Sequence, residues 1–272
     1  MERVDKPSLI YRTKLPVRIW HWINALTIFI MLMSGMMIFN AHPRLYWGKA
    51  GANFDPAWLE IGNRGQSGYV TVLGIKVPTT GILGYAQGTA EAFPPLVTIP
   101  SSYSIAMARQ WHFAFAWMLV AAIIVFIIYA FVSKHLKNDL ALKSEEMKPG
   151  HLWADIKAHA RLQFPTGEAA RAYNPLQKIA YLSVIFILVP LVVLTGLTMS
   201  PAMDAAWPWL PHLFGGRQSA RSIHFLCAFG FALFIGVHLL MVVVAGPVNE
   251  LRSMVTGWYR LPQAKRDGEA QS

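Results

Sequence analysis

Four long apolar runs without a single Asp, Glu, Lys or Arg dominate the sequence, at residues 19–39, 111–132, 179–199 and 223–245. Each run is long enough to cross the hydrocarbon core of a bilayer as a helix, which takes roughly 20 residues. Charged residues make up only 14% of the 272-residue chain, whereas an ordinary soluble domain has roughly 25%. We therefore predict an all-α integral membrane protein, in which a bundle of four transmembrane helices forms a single domain over residues 1–272.

The distribution of basic residues predicts the orientation of the bundle. With the amino terminus in the cytoplasm, 17 of the 24 Lys and Arg fall in the cytoplasmic segments 1–18, 133–178 and 246–272. This excess is typical of cytoplasmic loops, so we expect a multi-pass membrane protein with both termini in the cytoplasm. The basic residues flank the spans and favour anionic lipid as the partner. They do not cluster on one face, so nucleic acid is not expected.

Two connecting segments are expected to be ordered. The periplasmic loop 40–110 is too long for a simple connection, and its residues 69–77 predict a small hairpin with Gly74 near the turn. The loop is either a docking surface for a partner or a lid over the helix ends. In the cytoplasmic loop 133–178, apolar residues at helical spacing predict a helix over 151–164 that lies on the membrane surface.

Four of the nine histidines lie in or at the spans: His21, His112, His224 and His238. His224 and His238 are 14 residues apart, so they project from nearly the same face of one helix, about 21 Å apart along its axis. His112 and His224 begin their spans on the periplasmic side, whereas His21 and His238 lie nearer the cytoplasm. We therefore predict two pairs at different depths, His112 with His224 and His21 with His238.

Paired neutral imidazoles are suited to the two axial positions of a haem iron. A structural zinc needs four ligands, and a non-haem iron site combines two histidines with a carboxylate, which the apolar runs lack. The single cysteine, Cys227, excludes the Cys-x-x-Cys-His attachment of a c-type haem. The sequence thus predicts two b haems. His135 is the one rival ligand and is too shallow to match His238.

Arginine precedes three of these histidines by three positions, as Arg18, Arg109 and Arg221. Residues at this spacing are neighbours on a helix, and guanidinium groups bind carboxylates in a bidentate manner, so these arginines are candidate partners for haem propionates. The alternative is that they merely flank the spans. Gly35 lies 14 residues after His21 and either makes room for the macrocycle or brings two helices together.

The run LPVRIWHWIN at 15–24, the Arg-x-x-His openings and the 14-residue histidine spacing resemble the prokaryotic di-haem cytochrome b family of the b-561 type. That family includes the membrane subunits of nickel-iron hydrogenases, formate dehydrogenase-N and thiosulfate reductase. The resemblance implies electron transfer between the quinone pool and a periplasmic partner oxidoreductase, with no further catalytic residue. The long outer loop resembles the branch of the family whose partners are periplasmic molybdenum-cofactor oxidoreductases, which implies such a partner. A hydrogenase or a cytochrome c are the alternatives.

The resemblance also implies a quinone near the cytoplasmic haem. Asn174 and Gln177, at the start of the third span, are candidates for hydrogen bonds to a quinone carbonyl. Their alternative role is to cap the helix, which suits an Asn before a Pro.

Two other functions remain open from the sequence. One is a stand-alone superoxide:quinone oxidoreductase, in which Arg109, Arg217 and Arg221 attract small anions to the outer haem. The other is a proton-coupled transporter that uses buried histidines as a relay. Transporters of that kind have broken helices or repeats, and here only Pro190 interrupts a span.

Overall fold

The computed structural model describes residues 9–49, 51–161 and 174–261. Within these residues, four helices are long and apolar enough to cross a membrane: Leu15–Phe39, Ile105–Val132, Pro175–Thr198 and Arg217–Ala245. Each helix begins four to six residues before the corresponding apolar run. The difference arises because the first turns of each helix contain Lys or Arg, whereas the runs were defined as free of charged residues. A long basic side chain can extend to the polar edge of a membrane while its backbone stays helical.

The helices are, in chain order, α1 Leu15–Phe39, α2 Ile105–Val132, α3 Pro149–Ala160, α4 Pro175–Ser183, α5 Val189–Thr198, α6 Pro201–Ala206, α7 Leu210–Leu213, α8 Arg217–Ala245 and α9 Pro247–Thr256. A π-helical turn, Val184–Leu188, joins α4 to α5. Pro190 follows this turn; proline has no N–H and its ring clashes with the carbonyl four residues earlier, which explains the wider turn.

The strands are β1 Leu9–Tyr11, β2 Arg44–Leu45, β3 Leu59–Arg64, β4 Ser67–Val72, β5 Ile75–Pro78 and β6 Trp258–Arg260. The hairpin predicted over 69–77 is confirmed as β4 and β5, which pair antiparallel from Tyr69 opposite Pro78 to Val72 opposite Ile75. Leu73 and Gly74 form its turn with φ of 50° and 84°, the positive values that a two-residue hairpin loop requires.

The chain forms two compact units. The first unit comprises 1–23, 123–185 and 234–272, and the second comprises 24–122 and 186–233. The helices α1, α2 and α8 each contribute residues to both units. His21 and His238 belong to the first unit, and His112 and His224 belong to the second.

The second unit contains an antiparallel sheet in the order β2-β3-β4-β5, which is built from the long loop after α1. Leu45 and Ile61 of this sheet form a core cluster with Phe39 at the end of α1, and Phe225 of α8 packs against that cluster. The Trp58 indole N–H donates to Ser222 Oγ at 2.9 Å. The loop is therefore packed onto the segment of α8 that carries His224.

In the first unit, β1 and β6 pair antiparallel, with Ile10 opposite Tyr259. The helix predicted over 151–164 corresponds to α3, which ends at Ala160; residues 162–164 lie outside the described residues. Its position on a membrane face stays a prediction.

Many large apolar side chains on the long helices are exposed on the protein surface. Leu26, Phe131 and Val243 are each more than half exposed. Lipid tails cover such side chains in a membrane protein, where the backbone hydrogen bonds are satisfied within each helix. The four long helices and these exposed side chains are those of a multi-pass membrane protein.

Candidate functional site: two pairs of histidines

The second unit brings His112 of α2 and His224 of α8 face to face. Their ring centres are 6.2 Å apart and the ring planes are inclined at 57°. Both side chains are only partly buried. The two imidazoles therefore approach each other across a gap that protein atoms do not fill completely.

The Nδ1 atom of His112 lies 3.1 Å from Ser34 Oγ on α1. The Ser34 hydroxyl itself donates to the carbonyl oxygen of Ile30 at 2.7 Å, so it accepts from His112. A proton on Nδ1 leaves the lone pair on Nε2, and this second nitrogen is then free to bind a metal.

The Nδ1 atom of His224 is held in the same way. It lies 3.0 Å from the carbonyl oxygen of Val192 and 3.2 Å from Thr195 Oγ1. The Thr195 hydroxyl donates to the Leu191 carbonyl oxygen at 2.7 Å. His224 therefore also carries its proton on Nδ1.

A glycine follows each of these two hydroxyl residues and packs against the same ring. A Cβ on Gly35 would lie 3.4 Å from Cε1 of His112, and a Cβ on Gly196 would lie 3.3 Å from Cε1 of His224. These distances are shorter than the roughly 3.5–4.0 Å of an optimal carbon contact. The His112 ring is thus contacted by the dipeptide Ser34–Gly35, and the His224 ring is contacted in the same way by Thr195–Gly196.

The first unit contains the other pair, His21 of α1 and His238 of α8. Their ring centres are also 6.2 Å apart, with an interplanar angle of 57°. Phe234 stacks on the His238 ring, with centres 6.0 Å apart and planes within 11°. The Nδ1 atom of His21 is buried and has no hydrogen-bond partner among the described residues.

The residues of both pairs fit a haem. A metal–imidazole bond of about 2.0 Å on each side, with half a ring beyond each bond, puts the ring centres roughly 6 Å apart. Within the described part of the chain, no group of three or more His, Cys, Asp or Glu is placed to hold a bare metal ion. A planar macrocycle that supplies the other four ligands fits this pairwise arrangement.

The three arginines that precede histidines have different surroundings. Arg18 donates from Nη2 to the carbonyl oxygen of Val255. Arg109 is exposed, with its guanidinium 5.6 Å from the centre of the Phe113 ring. Neither arginine is tied to its neighbouring histidine.

Arg221 is held by the loop that follows α1. It donates from Nη1 to the Arg44 carbonyl oxygen at 2.9 Å and from Nη2 to the His42 carbonyl oxygen. A guanidinium has five N–H donors, so these two bonds leave donors for a further acceptor.

Asn174 and Gln177 form the capping box of α4. Asn174 Oδ1 accepts from the Leu176 N–H at 2.8 Å, and Gln177 Oε1 accepts from the Asn174 N–H at 3.3 Å. The predicted capping role is confirmed. Each side-chain carbonyl oxygen accepts one of these bonds, and the amide NH₂ groups remain as donors for a ligand.

The rival ligand His135 is engaged elsewhere in the first unit. Its Nδ1 lies 2.6 Å from Asp139 Oδ2, and its ring contacts Phe126 and Tyr129. The ring that faces His21 belongs to His238.

Sequence reasoning missed Ser34, Thr195 and Gly196. The available signal was the repeated pattern of a hydroxyl residue followed by glycine within two apolar spans. That pattern became informative only once each dipeptide was found against a histidine ring.

Comparison with known proteins gives a consistent result. The sequence profile described as prokaryotic cytochrome b561 matches residues 12–257. A putative protein-methionine-sulfoxide reductase subunit, YedZ1, of Azospira oryzae is 25% identical over 84% of this chain and 88% of its own length. Probable Ni/Fe-hydrogenase B-type cytochrome subunits of Azotobacter vinelandii and Cupriavidus necator are each 22% identical, over 94% and 93% of this chain and 91% and 87% of their own lengths. No solved structure matches the chain significantly.

The profile match includes all four long helices and all four paired histidines. The hydrogenase relatives are named as B-type cytochrome subunits, and YedZ1 is named as a reductase subunit. The cytochrome b561 match implies haem b binding and electron transfer. The chain belongs to the prokaryotic cytochrome b561 family.

Proposed function

We propose that this protein is a di-haem membrane subunit that transfers electrons between the quinone pool and a partner oxidoreductase on the periplasmic side of the bacterial inner membrane. The observation that carries the proposal is the occurrence of two histidine pairs with the same spacing, 6.2 Å between ring centres in each. His112 and His224 ligate one haem b, and His21 and His238 ligate the other. Bound haem supplies a centre that accepts and releases one electron at each pair.

The chain's own residues orient the ligands. Ser34 and Thr195 fix the His112 and His224 rings through their Nδ1 atoms. Arg221 lies one turn before His224, and the donors that the loop leaves free bind a propionate. Arg18 and Arg109 are the corresponding propionate partners near His21 and His112. Guanidinium groups remain charged at any physiological pH, which suits this role.

Aromatic residues support a docking site for the partner at the sheet of the second unit. Trp47 is about half exposed and stacks on Trp58, with ring centres 5.8 Å apart. Trp58 donates to Ser222, two residues before His224. The two indoles thus connect the surface of the loop to α8, the helix that carries His224.

The quinone binds beside α4, near the His21–His238 pair. Tyr181, one turn after Gln177, lies 6.5 Å from Phe234 between ring centres, and Phe234 stacks on His238. The amide groups of Asn174 and Gln177 donate to a quinone carbonyl. Both termini then lie in the cytoplasm, with α3 on that membrane surface.

The partner is an oxidoreductase, as the names of the relatives indicate. The YedZ1 relative is named as a subunit of a methionine-sulfoxide reductase, and the other relatives are named as hydrogenase cytochrome subunits. The long structured loop favours a periplasmic molybdenum-cofactor enzyme over a hydrogenase. Co-purification in a mild detergent, followed by identification of the bound subunit and its metal, distinguishes the two partners.

Haem content of single variants tests the ligand assignment. The purified protein is expected to show reducible b-type bands and about two haems per chain, and His224→Ala and His238→Ala are each expected to lose one haem. His151→Ala is the matched control, because His151 is exposed on α3. A colourless protein, as a transporter would be, contradicts the proposal. Loss of both haems from a variant that elutes from size exclusion like the unmodified protein contradicts the pairing.

A further inference from the structure

The two histidine pairs differ in what holds their Nδ1 atoms. At the His112–His224 pair, both rings donate to oxygen acceptors on neighbouring helices. At the His21–His238 pair, the buried Nδ1 of His21 has no acceptor among the described residues, and His238 stacks on a phenyl ring. The pairs share their ring spacing but not their surroundings.

An acceptor on Nδ1–H changes the electron density of the imidazole. A hydrogen bond from this N–H raises the basicity of the opposite nitrogen, which donates more strongly to a metal. A stronger donor stabilises the oxidised metal more than the reduced one. Hydrogen bonding to ligands is accordingly one of the means by which a protein sets a haem potential.

We infer that Ser34 and Thr195 are positioning residues that selectively lower the reduction potential of the haem held by His112 and His224. This inference rests on the proposed function, because it requires haem at that pair. Bound haem at that pair would accept and release one electron, with His112 and His224 as its ligands. No bond would break in this exchange, and each Nδ1 would keep its proton.

A purely structural role for the two hydroxyls is the competing explanation. Each also donates to a carbonyl of its own helix, Ser34 to Ile30 and Thr195 to Leu191, and such bonds are common for Ser and Thr in helices. Two features go beyond that role. Each hydroxyl accepts from a histidine ring, and each is followed by the glycine that packs against the same ring.

Redox titration of the absorption bands measures the predicted effect without any turnover assay. Thr195→Val keeps the side-chain shape but removes the hydroxyl acceptor of His224 and leaves the Val192 carbonyl as its second acceptor. Ser34→Ala removes the hydroxyl acceptor of His112. Each variant should raise the midpoint potential of the haem at the His112–His224 pair, which is the haem that His224→Ala eliminates. At a fixed electrode potential, the oxidised-to-reduced ratio of this haem should fall by up to roughly tenfold. The haem that His238→Ala eliminates should keep its potential, and the double variant should shift further than either single one.

Two controls separate the hydroxyl from packing. Thr195→Ser keeps the acceptor and should retain the unmodified potential. Thr27→Val makes the same exchange at another fully buried threonine of the second unit, whose hydroxyl has no hydrogen-bond partner among the described residues, and it should shift neither haem. Unchanged potentials in Thr195→Val and Ser34→Ala, or equal shifts of both haems, would overturn the inference.

The two proposals fail in different ways. If His224→Ala and His238→Ala do not remove one haem each, the ligand assignment is wrong. If they do, and removal of the hydroxyls leaves the potentials unchanged, only the tuning role is wrong. If Thr195→Val loses that haem, Thr195→Ala is measured in its place, and Ser34→Ala tests the other hydroxyl independently.

Discussion

Replacement of Gly196 should displace His224 and remove one haem. A Cβ at this position would lie 3.3 Å from Cε1 and 3.6 Å from Nδ1 of the ring, so alanine already requires a shift of a few tenths of an ångström. Valine adds two methyl groups to that carbon, and overpacking of this kind costs roughly 1–3 kcal/mol. If the ring absorbs this strain, retention of the haem at the His112–His224 pair falls by a factor of about 5 to 150.

Gly236 provides the matched control for this prediction. It lies on α8, and a Cβ there would meet nothing within 4 Å. It is also two residues before His238, about 200° around the helix, so a new side chain points away from that ligand. Haem per chain is measured from pyridine haemochrome spectra. Gly196→Val should approach one haem and Gly236→Val should keep two; equal content in the two variants would refute the packing argument.

Two further predictions concern ion pairing and protonation outside the histidine pairs. Lys178 is buried and lies 2.9 Å from Glu146 Oε1, so Glu146→Gln should lower the free energy of unfolding by roughly 3 kcal/mol because it strands a buried cation. The double variant with Lys178→Met should recover most of that loss in thermal unfolding in detergent. Burial, followed by the charges of Arg221 and Arg44, holds the pKa of His42 below its ordinary value of 6.5. The unfolded chain therefore binds a proton that the folded chain does not, and stability should fall as the pH drops below 6.5. His42→Gln should reduce this fall, and an unchanged difference between melting temperatures at about pH 7.5 and about pH 5.5 would contradict the assignment.

The long helices were predictable from the sequence because a membrane span is a local property of the chain. An uncharged run of apolar residues defines it, although each helix begins four to six residues before its run and includes a Lys or Arg there. The β4–β5 hairpin was equally local, since Gly74 marks its turn. The pairing of β1 with β6 was not predictable. Ile10 and Tyr259 are paired although they are far apart in the sequence, and no local pattern in either segment indicates which strand it pairs with.

The histidines of the candidate site could be selected from the sequence, but the atoms that hold them could not. A histidine in an apolar span stands out by its chemistry, and the rise per residue of a helix is enough to estimate its depth. Ser34 and Thr195 do not stand out, because hydroxyl residues are common in spans, where they bond to their own backbone. Their contacts depend on how one helix is rotated against the next, which apolar runs do not encode.

The spacing of the three arginines predicts their position on the helix but not the partners of their guanidinium groups. A separation of three residues places Arg18, Arg109 and Arg221 beside a histidine on the same helix, and to that extent the three are equivalent. The guanidinium, however, ends a long side chain, and its partner depends on what else lies within reach. Arg18 donates to a carbonyl near the end of α9, and Arg109 lies over the Phe113 ring of its own helix. Arg221 donates to two carbonyls of the loop. Arg221 is therefore the one of the three whose guanidinium bonds to the loop, and it also lies one turn before His224 on the same helix.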